Sequence, residues 1–341
     1  MKTTRRVVAI AGMSLLVTCV AGYVLALRPN VLVGQPSRRL DVPSGMTFVA
    51  LRAKLQQQGY VANVTSFTLL ARLLGYDRQL RPGAYRLVAN MSNWSALRLL
   101  RAGLQQPVKI ILPQVRTKAA LAAKITQNIA LSAAAFEELL ADAAFLQQYG
   151  FNLHNVLAMF VPNTYEVYWT VSAQGLFARM HREYQRFWTA RRRGQAAGLG
   201  LTPVQVATLA SIVQCETNKA AEAPLIAGVY LNRLRKGMAL ASCPTLLYIL
   251  DDPSAKRVLH KHKALASPYN TYKHKGLPPG PIGVPTIAMV EAVLGCGKHG
   301  YLYFAAKADF SGYHHFARTL KEHLRYARRY QKALNKAQVY R

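Results

Sequence analysis

The stretch from 203 to 217, PVQVATLASIVQCET, predicts a long apolar helix with a well-marked start, around which the remaining chain must pack. Thr202 is suited to the N-cap, and Pro203 fits the first helical position, where no amide hydrogen is needed. Gln205 completes a T-x-x-Q capping box with Thr202. A buried helix that begins at Pro203 is therefore expected.

One carboxylate lies on the apolar face of this predicted helix. Leu209, Ile212, Val213 and Glu216 recur at spacings of three, four and seven residues, so all four face the same side. An inward carboxylate is either paired with a structural cation or a working acid whose pKa is raised by burial. Because the chain has 44 Lys and Arg against 14 Asp and Glu, a partner cation is always available, and the helix alone leaves both explanations open.

The composition indicates the size of the fold and the charge of its partners. A chain of 341 residues with 51% hydrophobic content can bury a large core, and its length suggests about two domains. The formal net charge of +30 favours an anionic partner: nucleic acid, an anionic lipid surface or an acidic polymer such as the cell wall. Charge alone does not choose among them.

The first residues predict a membrane anchor. Lys2, Arg5 and Arg6 precede an uncharged run, Val7–Leu27, that ends at Arg28, and a run of this length reaches the ~20 residues that a transmembrane helix needs. Positive charges before the run place the amino end in the cytoplasm and the remaining chain outside, which argues against nucleic acid as a partner. The alternative is a cleaved signal peptide, although the run exceeds the ~7 to 15 apolar residues typical of one.

After this anchor, predicted at 1–28, a small strand–helix–helix–strand–helix module is expected at 38–107. Its first helix, Phe48–Gln58, should bury Val49, Leu51 and Leu55.

A mostly helical connecting region is expected at 108–200. Residues 117–147 are Ala-rich and predicted to be helical throughout. The basic run at 191–193 is interpreted as a solvated helix end, and Gly194 and Gly198 are expected to form a hinge before Thr202.

The region 201–341 contains the remaining residues of chemical interest. A second helix should begin near Glu222 and end at Gly237. The loop SPYNTYKHKGLPPGPIG is stiffened by proline and offers aromatic, amide and hydroxyl groups suited to a polyhydroxylated ligand. His314 and His315 follow on the returning strand of a predicted hairpin.

No metal or cofactor is expected, because the histidines and cysteines lack metal-site spacing. For Cys215, Cys243 and Cys296, one disulfide with a leftover thiol and three free thiols both remain open.

Several motifs in register resemble the endolytic murein transglycosylase family, also called YceG-like. They are LASIVQCETNKAAEAPLIAGVYLNRLRKGM, SCPTLLYIL, the SPYNTY–GLPPG loop and YLYFAAKADFSGYHHFARTLKEH. The resemblance implies an α+β fold: a single N-terminal transmembrane helix, a small LysM-like subdomain around RPGAYRL, and a C-terminal mixed α+β catalytic domain. It also implies an inner-membrane protein whose catalytic part is periplasmic. The family has Glu or Gln at the position of Gln214, so here a second carboxylate is absent from that position. One position departs from the family pattern: Cys243 stands where the family usually has Asp.

The resemblance implies a chemistry and a set of site residues. The catalytic glutamate of the family directly precedes a threonine, which here is Glu216. A lytic transglycosylase cleaves the bond between N-acetylmuramic acid and N-acetylglucosamine in peptidoglycan strands without consuming water, and leaves 1,6-anhydromuramic ends. The implied partners are nascent glycan strands, the membrane and peptidoglycan synthases. The expected substrate contacts are Asn232, Tyr269, Asn270, Tyr272 and His315.

Two other functions stay open at this point. A hydrolytic muramidase would need a second positioned carboxylate. A non-catalytic wall-binding scaffold would be expected if Cys243 marks lost activity.

Overall fold

The computed structural model describes residues 2–250 and 259–337. The chain divides into two compact units: the first comprises Met1–Ile110, Asn128–Leu131 and Glu166–Ser172, and the second the remaining residues. The four segments predicted from the sequence are a finer division and stay a prediction. The mixed helix and strand content confirms the α+β expectation.

The first unit surrounds a small apolar core. Its elements are α1 (Lys2–Ala26), β1 (Pro29–Val31), β2 (Arg38–Val42), α2 (Phe48–Gln57), α3 (Val64–Leu73), β3 (Gly83–Leu87), β4 (Met91–Ser92) and α4 (Asn93–Ala102). Two antiparallel pairs, β1 with β4 and β2 with β3, hold the helices together. From β2 onward the order strand, helix, helix, strand, helix agrees with the prediction. Val49 was expected inside but is 69% exposed, because α2 turns only Leu51 and Leu55 fully into the core.

The boundary between the units passes through β5 (Val108–Leu112) and β6 (Asn163–Val167). The second unit contains most of the helices and one hairpin. Its elements are α5 (Lys118–Thr126), α6 (Ala133–Ala141), α7 (Ala143–Gln148), α8 (Ala173–Phe187), α9 (Ala190–Gly198), α10 (Pro203–Glu216), α11 (Ala223–Arg235), α12 (Cys243–Leu250), α13 (Ile287–Leu294), β7 (Tyr303–Ala306), β8 (His314–Ala317) and α14 (Leu320–Lys336).

Two expectations for the second unit were wrong. Residues 117–147 are not one helical run, because Ser132 and Asp142 each cap a new helix. The hinge expected at Gly194 and Gly198 is part of α9, which Thr189 caps. The motif SCPTLLYIL forms α12 from Cys243 onward. The surface turn predicted at Asp251–Pro253 lies outside the described residues.

No single described helix is long and apolar enough to cross a membrane; Ile10–Ala26 is apolar but shorter. The helices α9 and α10, which meet at an angle of 74°, are together long and apolar enough for a broken membrane span, by length and composition only.

The helix α10 forms the centre of the second unit. It packs against α11, α12 and α13, and its central residues, from Val206 to Val213, are all buried. The capping box of Thr202 and Gln205 is present as predicted. The helix therefore holds its C-terminal residue, Glu216, at a fixed place against α11 and α12.

Candidate active site

Glu216 is the last residue of α10, and its carboxylate is partly buried. Leu209, Ile212 and Val213, the apolar residues of the same face, are fully buried, so the predicted inward face is confirmed. Because the helix ends at Glu216, its side chain lies at the edge of the core and not deep inside it. A substrate group can therefore approach a carboxylate that is otherwise surrounded by protein.

Two hydroxyl groups bind the same carboxylate oxygen. Tyr230 Oη donates a hydrogen bond of 2.6 Å to Glu216 Oε1, and Ser242 Oγ donates one of 2.7 Å to that oxygen. Both donors are buried residues. Within the described part of the chain, Oε2 is left without a protein donor. This arrangement gives the carboxyl group one fixed oxygen and one oxygen available for proton transfer.

The environment of Glu216 raises its pKa. Burial is the main cause, since desolvation disfavours the charged carboxylate. Opposing it are the two hydrogen bonds and the charges of His314 and Arg233, which favour ionisation. The pKa of Tyr230 is also raised, first by burial and then by the neighbouring carboxylate. Both shifts favour the protonated forms, the carboxylic acid of Glu216 and the phenol of Tyr230. A general acid must be protonated before it reacts.

A strained turn aims Ser242 at Glu216. Ala241 has a φ of 49°, a left-handed conformation uncommon for a residue with a side chain. The turn is held by Thr271, whose carbonyl accepts from the amide of Ala241 at 2.9 Å and whose hydroxyl accepts from the amide of Ser242 at 3.0 Å. Thr245 Oγ1 lies 2.8 Å from Thr271 Oγ1 and donates to Ser242 O. The YNTY loop thus positions the second donor to the acid.

A hydrogen-bonded pair of Glu222 and His314 lies near the acid. Glu222 accepts from the backbone amide of His314 at 2.8 Å, and its other oxygen is 2.9 Å from His314 Nδ1. Both oxygens of Glu222 are therefore occupied by His314. The imidazole of His314, in turn, acts electrostatically on Glu216. The dyad therefore fixes the orientation of a histidine that influences the acid.

Arg233 contributes charge from α11. Its Nε donates to Leu302 O at 2.7 Å and a terminal nitrogen donates to Leu240 O at 2.6 Å. Because these donors bind carbonyls, the charge of Arg233 is not neutralised by them. It favours ionisation of Glu216 without forming a direct ion pair with it.

The two asparagines expected to bind substrate donate their side-chain amides to backbone carbonyls, and their contact with substrate stays a prediction. Asn232 Nδ2 donates to His299 O at 2.7 Å and to Tyr301 O at 3.0 Å. Asn270 is fully buried, and its Nδ2 donates to Lys263 O and Leu265 O. Their side-chain amides therefore support the loops around the site.

The two tyrosines of the same loop lie in different surroundings. Tyr272 is partly exposed, its Oη lies 3.1 Å from Cys243 Sγ, and its pKa is raised by burial, by Cys243 and by the charge of Glu216. Tyr269 is packed against Tyr248 and lines a cleft with His154. Tyr272 is thus beside the acid, and Tyr269 belongs to a neighbouring cleft.

His315 points away from its neighbour His314, because successive side chains of a strand face opposite sides. Its ring stacks on Tyr326 of α14, with centroids 4.4 Å apart. Within the described residues, no hydrogen bond or ion pair joins His315 to Glu216. The sequence suggested His315 as a contact, whereas the histidine that influences the acid is His314.

Gln214 and Cys243, the departure from the family pattern, have different surroundings. Gln214 Nε2 donates to Val284 O at 3.3 Å, and its Oε1 accepts from Thr286 N at 2.7 Å, so its amide joins α10 to the segment before α13. Cys243, by contrast, is exposed and borders Tyr272 at the site.

The GLPPG motif contains one glycine that the packing requires. A Cβ on Gly280 would lie 2.0 Å from His154 O. The same carbonyl accepts from Tyr269 Oη at 3.2 Å. The proline-rich loop and the YNTY loop therefore converge on one backbone carbonyl, and only glycine allows that approach.

All four cysteines are free, which settles the open question of a disulfide. Among the described residues no group of three or more potential metal ligands is found.

Sequence reasoning missed the residues that surround the acid. They are Tyr230, Ser242, Thr271 and the pair Glu222–His314. Periodicity placed Tyr230 on a helix without indicating which partner it would meet, and no local signal connected Ser242 to a residue so distant in the chain.

Comparisons with known proteins agree with this picture. A model of the YceG-like family matches residues 40–329. The endolytic murein transglycosylase of Bacillus subtilis (strain 168) is 45% identical over 116 residues, 34% of this chain and 31% of its own length. The endolytic murein transglycosylase of Streptococcus pneumoniae serotype 2 is 26% identical over 318 residues, 83% of this chain and 56% of its own length. The chain thus spans about half the length of the latter relative and less of the former.

A crystal structure shares the fold. It is that of a YceG-like protein from Listeria monocytogenes, with a TM-score of 0.56, 26% identity, and coverage of 85% of this chain and 98% of that one. Together with a family model that matches most of the chain, this confirms the resemblance, and the protein belongs to the YceG-like family.

Proposed function

We propose that this protein is an endolytic lytic transglycosylase of peptidoglycan, with Glu216 as its acid and base. The observation that carries the proposal is the geometry of Glu216, whose Oε1 is bound by two hydroxyl groups while Oε2 has no protein donor among the described residues. Its relatives named endolytic murein transglycosylase support the choice of reaction. The family's reaction needs one such carboxyl group and no enzyme nucleophile.

The first step is general acid catalysis. Glu216 Oε2 donates its proton to the oxygen between N-acetylmuramic acid and N-acetylglucosamine, and the bond from that oxygen to the anomeric carbon of the muramic acid breaks. Burial raises the pKa of Glu216, which favours the protonated form that this step needs. As the carboxylate forms, Tyr230 and Ser242 stabilise the charge on Oε1.

The second step closes a ring within the substrate. The 6-hydroxyl of the same muramic acid attacks its anomeric carbon, and its proton passes to the carboxylate of Glu216. The acid is then restored, the product ends in 1,6-anhydromuramic acid, and no water is consumed. An intramolecular nucleophile has a high effective concentration, so the protein needs only to orient it.

The other acids after residue 202 favour a single-carboxylate reaction over hydrolysis. Among the described ones, Glu222 is bound by His314, Glu291 pairs with Arg192, and Asp309 and Glu322 are on the exposed surface. A hydrolase would need a second carboxylate at ~5 to 9.5 Å from the first, with its oxygens free.

Glycan binding is assigned to the tyrosines near the site. Tyr272 borders Glu216, and the cleft that Tyr269 and Tyr248 line also includes Lys118. Aromatic rings suit the faces of sugars, and a cation suits the carboxylates of peptide stems. The high positive charge of the whole chain favours the same anionic polymer.

Membrane attachment is part of the proposal. The uncharged run Val7–Leu27 after Lys2, Arg5 and Arg6 suits a single-pass inner-membrane anchor, with the second unit in the periplasm. A LysM-like role for the module at 38–107, termination of glycan elongation and partnership with peptidoglycan synthases belong to the same proposal.

The proposal is tested by product analysis. Uncross-linked peptidoglycan strands are incubated with the full chain in detergent, with Glu216→Gln alongside, and the fragments are identified by mass spectrometry. Internal fragments ending in 1,6-anhydromuramic acid, lost in the variant, are expected. Intact strands with retained glycan binding would favour a scaffold and contradict the proposal.

A further inference from the structure

The helix α1 is fixed to the rest of the first unit by a buried asparagine network. Asn93 Nδ2 donates to Leu25 O at 2.9 Å, near the end of α1. Asn30 Nδ2 donates to Asn93 Oδ1 at 2.7 Å, and Asn30 Oδ1 accepts from Asn63 N at 2.7 Å. Asn93 is fully buried and Asn30 nearly so. Buried polar networks of this kind specify one arrangement, so α1 is a rigid extension of the unit and not a flexible tether.

An apolar surface of α3 is continuous with that of α1. Leu69 is 50% exposed and Leu73 is 68% exposed, on the face of α3 opposite the buried Phe67, Leu70 and Ala71. Leu69 and Ser66 line an open groove together with residues Leu16 to Leu25 of α1. Exposed leucines beside an apolar helix are costly in water but ordinary in lipid.

The position of Leu69 along α1 sets its depth in a membrane. The run Val7–Leu27 rises ~31 Å as a helix, close to the ~30 Å of the hydrocarbon core, so nearly the whole run is needed to cross it. The groove that Leu69 shares with α1 extends back to Leu16, more than one helical turn before Leu27. If the run spans the bilayer, every α1 residue that lines this groove lies within the hydrocarbon, and Leu69 lines the groove with them.

The residues that flank this apolar surface suit the membrane–water interface. Trp94, 42% exposed, is the second residue of α4 and directly follows Asn93, which binds Leu25. Trp is favoured at the level of the headgroups. Arg28 follows the apolar run, and the exposed Arg72 lies between Leu69 and Leu73 on α3. Long arginine side chains can extend from apolar surroundings to anionic headgroups.

We infer that α3 inserts its outer face into the periplasmic leaflet, with Leu69 and Leu73 among the acyl chains and Trp94 at the headgroups. The inference rests on the proposed membrane anchor and adds a second, non-spanning membrane contact to it. The occupant of the α1–α3 groove is then phospholipid. The first unit is held at a fixed height and orientation at the bilayer, so it cannot swing freely on α1.

The test is photo-cross-linking of the full chain in vesicles of phosphatidylethanolamine and phosphatidylglycerol. A benzophenone amino acid replaces Leu69 or Leu73, and lipid adducts are measured by intact-protein mass spectrometry. Val17, on α1, reports on the anchor itself. Leu104 is the matched control, since it is 62% exposed but follows α4 at the end opposite Asn93. Retained far-ultraviolet circular dichroism verifies the fold of each variant.

Lipid adducts at Leu69, Leu73 and Val17, at least fivefold above Leu104, are expected. Adducts at Val17 alone would overturn the inference and leave the anchor standing. An equal yield at Leu104 would also overturn it, because contact would not be confined to α3. No adduct at Val17 would overturn the proposed anchor and this inference together.

Discussion

Tyr230 and Glu216, on successive helices, meet through a hydrogen bond of 2.6 Å from the phenol to the carboxylate oxygen Oε1. The phenol stabilises the ionised form of the acid, whereas burial destabilises it. Two opposing effects therefore act on the pKa of Glu216. A group that first donates a proton and then accepts one needs such a balance.

Replacement of Tyr230 by Phe should move the alkaline limb of the pH profile to higher pH. The hydrogen bond from Tyr230 lowers the pKa of Glu216 against the effect of burial, so its loss raises that pKa further. Glu216 then stays protonated at higher pH, and kcat/KM should decline later as pH rises. Tyr184→Phe, at a buried tyrosine of α8, is the control. A profile equally unchanged in both variants would argue that Tyr230 does not act on the acid.

Replacement of Glu216 by Gln should abolish turnover and stabilise the fold at alkaline pH. The loss of general acid catalysis predicts a rate decrease of about 10²- to 10⁴-fold. Because burial raises the pKa of Glu216, the folded state binds its proton more tightly than the unfolded state does. That stabilisation is complete below pH ~4.3, the pKa of a glutamate in the unfolded chain. It is lost as the pH rises through the pKa of Glu216 in the folded state.

Glutamine does not ionise, so the variant should unfold at a higher temperature than the wild type at about pH 8, with a smaller gain at about pH 4. Thermal melts at the two pH values measure this difference. A smaller gain in melting temperature at about pH 8 than at about pH 4 would contradict a raised pKa for Glu216 in the folded state.

The neighbouring histidines form a matched pair on opposite faces of β8. His314→Gln removes a group whose charge lowers the pKa of Glu216, so the alkaline limb of kcat/KM should again move to higher pH. His315→Gln should leave the limb in place, because His315 stacks on Tyr326. Equal pH profiles for the two variants would contradict the assignment of His314 to the site.

Asn232→Ala and Asn270→Ala should act on stability. Each removes an amide that satisfies two backbone carbonyls, and a loss of about 1 to 3 kcal/mol in the free energy of unfolding is expected. Urea denaturation measures it, with the exposed Asn218→Ala as the control. A raised KM with unchanged stability would restore the two residues to the substrate-contact role expected from the sequence.

Two glycine variants should change stability in opposite directions. Gly280→Ala places a methyl group 2.0 Å from His154 O, and the backbone shift it forces should destabilise the protein by about 1 to 3 kcal/mol. Gly194→Ala, inside α9 with nothing within 4 Å of the new methyl group, should stabilise it by about 0.5 to 1 kcal/mol. Urea midpoints distinguish them, and tolerance of Gly280→Ala would contradict the close approach.

The local parts of this structure could be predicted from the sequence, and the non-local parts could not. The capping box of Thr202 and the inward direction of Glu216 follow from residues within one helix, and both are confirmed. The partners of Glu216 lie 14 and 26 residues further along the chain. They meet it only because α11 packs against α10 and because Thr271 holds the turn before α12.

Amide and aromatic residues in the loops were harder to interpret. Asn270 has the chemistry of a sugar-binding side chain, and only its complete burial and its bonds to two carbonyls indicate a different role. The choice between His314 and His315 depends on which face of β8 meets Glu222, and the alternation of a strand alone cannot give that direction.

The central claim is that Glu216 directs a ring closure within the substrate and not an attack by water. The most direct measurement is to run the reaction in water labelled with heavy oxygen, with Glu216→Gln alongside. Mass spectrometry then gives the masses of the new muramic ends. The account predicts anhydromuramic ends that carry no label and that are absent in the variant. Labelled, ring-opened ends formed directly by the wild-type protein would contradict it, because they would require a hydrolase with a second carboxylate.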